Sequence, residues 1–162
     1  IAIKSGIESE IGMILTAIGG VDGIGKKHMS YGFGFGGPSI NSDNKAIKHY
    51  SESIGVETNL LTSINDFNKS QLKFIKDYYI QQNPTGEQSF VFNYITYKNN
   101  VNILEESQPF QLCVSLLDDG YNVNVIEKPE IISQLNDLSE KYNGRLRFYK
   151  QGTKPEGILI NI

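Results

Sequence analysis

The sequence predicts an α+β domain. It should carry N-terminal helices, then a mainly antiparallel sheet of about five to six strands, with one further helix between the late strands. Two observations predict this. Up to Gly86 the apolar residues recur every three or four positions, and beyond it they alternate. The hydrophobic period therefore drops from that of a helix to that of a strand. In addition, Asp119 and Gly120 stand between alternating apolar residues, and this dipeptide is the preferred centre of a two-residue hairpin.

Taken in order, Ile3, Ile7, Ile11, Ile14, Leu15 and Ile18 form the stripe of an amphipathic helix, which Gly19 and Gly20 are suited to end. Residues 19–40 are glycine-rich and read as a functional or mobile loop inside a single domain of residues 1–162. Ser42 and Asp43 suit the start of a second helix, with Ile47, Tyr50 and Ile54 on one face. A third is expected from about Ser63 to Gln82, where Ser63 and Asp66 have capping-box spacing. Phe90 to Ile95 can bury both faces, as a central strand does, and Val101 and Ile103 begin a return strand. Residues 110–127 read as a hairpin that pairs Leu116 with Val123 and Val114 with Val125. Pro129 opens a helix running towards Gly144, and strands are expected around Leu146 to Phe148 and Ile158 to Ile162.

Composition narrows the function. A net charge of −3 over 162 residues argues against a dedicated electrostatic nucleic-acid binder. One cysteine excludes an internal disulfide framework, and two histidines are too few for a Cys/His zinc site. The longest mostly apolar stretch, Ile11 to Val21, is too short to span a bilayer. The chain opens on Ile1 without a secretion-signal pattern, as expected of either a processed fragment or a trimmed piece of a longer protein, trimming being the commoner.

No complete catalytic motif emerges. Gly20 to Lys26, GVDGIGK, has P-loop spacing, but Lys27 stands where the magnesium-binding hydroxyl belongs. Ala17 to Gly25, AIGGVDGIG, resembles the LAGLIDADG signature of homing endonucleases. Ile24 replaces the metal-binding acid of that family, so the resemblance is set aside. Cys113 reads as a small buried hydrophobe. The acidic pair Glu105 and Glu106 reads as solvated surface. Tyr31, Phe33 and Phe35 alternate within the glycine-rich stretch and suit either a ligand-covering flap or an anchor to the core.

The expected function is a non-catalytic binding or interaction domain whose partner is a protein or a polar or anionic ligand. It needs no cofactor and no metal. Its candidate ligand-binding residues are Tyr31 and the face shared by Arg145, Arg147 and Tyr149, where two guanidinium groups beside a phenol can grip a phosphate or carboxylate. The alternative is a small secreted effector that cleaves RNA without metal, with His28 and His49 as the acid–base pair. Nucleic acid is a partner only under that alternative.

Overall fold

The computed structural model describes residues 1–25, 29 and 31–161. They form two compact units, Ile1–Gly32 and Phe33–Asn161. In the first, single 3₁₀ turns at Ile3–Ser5 and Glu8–Glu10 precede helix α1, Ile11–Gly19. The apolar stripe expected from Ile3 onward is interrupted because Gly6 takes a left-handed conformation, φ 71°, and ends the first turn.

The second unit is a parallel α/β domain. Helices α2 (Ile40–Ser53) and α3 (Asn59–Gln81) come first. Strand β1 (Phe90–Phe92), helix α4 (Gln108–Asp118) and strand β2 (Val123–Ile126) follow. Two short helices, α5 (Pro129–Ile132) and α6 (Asn136–Lys141), lead to β3 (Leu146–Tyr149) and β4 (Ile158–Ile160). The strands lie in the order β3-β2-β1-β4, and every pairing is parallel. The expected antiparallel sheet is thereby corrected. The cause is visible in the burial: all of Phe90 to Phe92 and Val123 to Ile126 is buried, the pattern of strands covered on both faces.

The hairpin expected over 110–127 is corrected with it. Residues 108–118 are a helix, capped by Ser107, whose hydroxyl accepts from the Phe110 amide, with Pro109 in the first turn. Leu112, Cys113, Leu116 and Leu117 are fully buried, a helical spacing that alternation had also accommodated. Asp119 and Gly120 do turn the chain, but they end α4. Gly120 is left-handed at φ 95°, its amide reaches the Leu117 carbonyl at 3.0 Å, and the Tyr121 amide reaches Leu116 at 3.0 Å. This is the paired-bond termination that glycine permits just past a helix. The ring of Tyr121 then meets Phe90 edge-on at 5.3 Å, so the chain re-enters the sheet as β2 beside β1. The return strand expected at Val101 and Ile103 is absent; those residues belong to the long β1–α4 connection.

Candidate functional site at the carboxyl edge of the sheet

From β1 the chain builds outward through β2 to β3, then places β4 on the other side of β1. Parallel sheets bind ligands outside the carboxyl ends of their strands, where the strand order reverses, here between β1 and β4. The β1–α4 connection crosses this edge and is firmly held. Glu127, at the end of β2 and only 4% exposed, accepts from the Ile95 amide at 3.1 Å and the Lys128 amide at 2.9 Å. Ser107 donates its hydroxyl to the Ile95 carbonyl at 2.6 Å, joining the start of α4 to the end of β1.

Against that connection lies the glycine segment Gly34-Phe35-Gly36-Gly37. The Gly34 amide donates to Gln108 Oε1 at 2.6 Å, Gln108 Nε2 donates to the Asn68 carbonyl, and Asn68 Nδ2 donates to the Phe35 carbonyl at 2.9 Å. Gly37 donates to the Glu106 carbonyl at 3.3 Å. A side chain at Gly36 would collide with that same carbonyl, and Gly37, at φ 83°, lies against the ring of Tyr97. Only glycine permits so close an approach of two backbones.

The result is a polar cleft of about 180 Å³. Asn41 and Lys45 of α2 enter from one side, Asn65 and Lys69 of α3 from another, and Glu106 and Gln111 from the third. The Glu106 carboxylate accepts from Asn41 Nδ2 at 3.3 Å and from Lys45 Nζ at 3.2 Å. Lys69 is exposed and makes no ion pair with the described residues. Phe35 also lines an adjoining apolar hollow of about 320 Å³, with Ile64 and Phe67. No thiol reaches the cleft: Cys113 is fully buried in α4, and burial pushes its pKa up to about 12. Among the described residues, no group of three or more His, Cys, Asp or Glu side chains could hold a metal ion.

Of the residues singled out in the sequence, His49, Arg145, Arg147 and Tyr149 do not line this cleft. His28 lies outside the described residues, and His49 is exposed on α2. Tyr31 is exposed and belongs to the first unit. Arg145 precedes β3 at the opposite, amino edge of the sheet, where Nη1 donates to the Leu117 carbonyl at 2.7 Å. Arg147 is exposed on β3 and Tyr149 is half-buried. Sequence reasoning read Glu106 as solvated surface and passed over Asn41, Lys45, Asn68 and Gln108. The glycine run of residues 34–37 was their one local signal, because such a run marks a close backbone approach.

The second unit is therefore a Rossmann-like α/β domain with a polar cleft at its carboxyl edge. Residues 2–70 match the profile of the UDP-glucose/GDP-mannose dehydrogenase family, central domain. YtcA of Bacillus subtilis (strain 168), named as a UDP-glucose 6-dehydrogenase, is 27% identical over 131 residues, which are 78% of this chain and 30% of that protein. The fold is shared with a UDP-glucose dehydrogenase from the hyperthermophilic archaeon Pyrobaculum islandicum, at a TM-score of 0.70 and 19% identity over 85% of this chain and 31% of that one. It is shared also with GDP-mannose dehydrogenase from Pseudomonas aeruginosa, at a TM-score of 0.63 and 17% identity over 87% and 33% of the two chains. The chain thus spans about a third of the length of these relatives. These findings overturn the expectation of a non-catalytic binding module and the ribonuclease alternative: the matching profile and the relative are those of dehydrogenases, and the solved structures share the fold. Among the described residues, no helix is long and apolar enough to cross a membrane.

Proposed function

We propose that this chain is the substrate-holding part of a nucleotide-sugar dehydrogenase and that its carboxyl-edge cleft takes a nucleoside diphosphate sugar. The observation that carries the reading is the cleft itself, which lies against the connection leaving the carboxyl end of β1 and is lined by carboxamides and lysines. Lys69 supplies a positive charge for a diphosphate. Asn65 and Gln111 can both donate to and accept from sugar hydroxyls and base edges. Phe35 and Phe67 offer an aromatic wall to a base in the adjoining hollow. The names of the relatives support the same ligand class.

A dehydrogenase also needs a hydride carrier, for which a nicotinamide dinucleotide is the common choice. The residues of this chain do not fit one. In a doubly wound sheet the dinucleotide pyrophosphate is held by a glycine-rich turn after the first strand. Here the β1–α4 connection, residues 93–107, contains no glycine at all.

Titration calorimetry tests the reading. The chain should bind UDP-glucose saturably, more weakly at high salt and more weakly still in Lys69→Ala, while NAD gives no saturable heat. Saturable NAD binding with none for UDP-glucose would refute it.

A further inference from the structure

We infer that Glu106 is a specificity-determining residue of this cleft, accepting hydrogen bonds from the hydroxyl groups of the sugar half of the ligand. The inference rests on the nucleotide-sugar reading and names the group that distinguishes the sugar from the nucleotide alone. Glu106 has φ 49°, a left-handed conformation that an ordinary side chain adopts at a cost and glycine does not. The backbone there has work of its own, since its carbonyl holds the Gly37 amide. Glycine would perform that work with less strain, so the side chain needs a separate reason.

Its position supplies one. The carboxylate lines the cleft, with one donor on each oxygen: Lys45 on Oε1 and Asn41 on Oε2. Asn41 is nearly buried, so the carboxylate is held rather than free to swing. An ionised carboxylate can accept about four hydrogen bonds, leaving acceptor capacity for a ligand. That acceptor repels phosphate oxygens, so it cannot serve the diphosphate. Hydroxyl groups are the donors that a sugar brings in number, and a site that hydrogen-bonds a hydroxyl discriminates against ligands lacking it.

The test measures UDP-glucose and UDP binding to the full chain and to Glu106→Gly and Glu106→Gln, with Tm for each. The chain should prefer UDP-glucose over UDP by about 10- to 100-fold, the worth of a hydrogen bond to a charged group. Glu106→Gly should erase most of that margin, leave UDP affinity within about twofold, and hold or raise Tm, because the strain at φ 49° is relieved. Glu106→Gln keeps the side-chain size and should also lose margin. Three results would overturn the assignment: an unchanged margin in both variants, a fall in Tm with both affinities lost together, or no preference for UDP-glucose in the parent chain. If UDP itself fails to bind the parent chain, the nucleotide-sugar reading fails as a whole.

Discussion

Arg145 donates through Nη1 to the carbonyl of Leu117 at 2.7 Å, closing the open end of α4 from the start of β3. Its guanidinium also lies over the ring of Tyr142, 5.6 Å from the centroid. A cation at a helix C-terminus meets both the unpaired carbonyls and the negative end of the helix dipole. Arg145 is therefore a helix closure, set on the edge of the sheet away from the cleft. Arg145→Ala is expected to lower stability by about 1–3 kcal/mol, the worth of a charge-assisted hydrogen bond with its stacking contact. Exposed Arg147→Ala should change it by no more than about 0.5 kcal/mol. Urea unfolding of the two variants decides the matter, and equal effects would contradict the assignment.

Glu127 performs the corresponding task at the carboxyl edge. Its two oxygens satisfy the amides of Ile95 and Lys128, and Ile95 is itself fully buried. Glu127→Ala strands the Ile95 amide without a partner, so the expected loss is about 1–3 kcal/mol. The loss should be local. Amide exchange at Ile95 and along residues 93–107 should quicken well before that of β2 does. Uniform quickening across the sheet would mean that Glu127 holds the whole unit rather than this connection.

How much of this was legible in the sequence depends on which residues are asked. Helix α3 announced itself through its long apolar stripe, expected from about 63 to 82 and found at Asn59–Gln81. The strands at Leu146–Tyr149 and Ile158–Ile160 lie where they were read. The stretch from Phe110 to Glu127 was misread because two local rules agree on it. Leu112, Val114 and Leu116 fit a period of two, while Leu112, Cys113, Leu116 and Leu117 fit a helix equally well. Asp-Gly ends helices as readily as it turns hairpins. Ser107 and Pro109, a cap followed by a first-turn proline, were the signal that separates the two. That single misreading reversed β2 and with it the sheet. The cleft was less legible still. Asn68, Gln108 and Glu106 are far apart in sequence from Gly34 to Gly37, and only the packed fold joins them.

Acid should weaken the clip between α4 and α6. The Tyr142 hydroxyl donates to Asp118, and with Lys141 at 3.6 Å it holds the Asp118 carboxyl below its usual pKa. A carboxylate with a lowered folded pKa favours the charged form in the folded state. Its stabilising contribution is therefore complete above the unfolded value, about 4, and disappears as pH falls through the folded value. Asp118→Asn should flatten this part of the acid limb of a stability profile, and salt should shrink the difference because the pair is exposed. Parallel acid limbs for the variant and the parent chain would show that Asp118 contributes nothing there.

The last prediction concerns the fit of the glycine segment. A Cβ at Gly36 meets the carbonyl oxygen of Glu106, a backbone atom that no rotamer change can move aside. Gly12, in the first turn of α1, has open space around its missing Cβ. The same substitution should thus have opposite effects at the two positions. Gly12→Ala should leave stability unchanged or raise it by up to about 1 kcal/mol through helix propensity. Gly36→Ala should cost about 1–3 kcal/mol, as overpacking does. It should also push residues 34–37 away from the turn at Glu106 and so weaken UDP-glucose binding. The relevant comparison is between the two losses. If Gly36→Ala reduces affinity while the Phe33–Asn161 unit stays folded by circular dichroism, the segment forms part of the cleft wall; if affinity persists despite the lost stability, it only supports the fold.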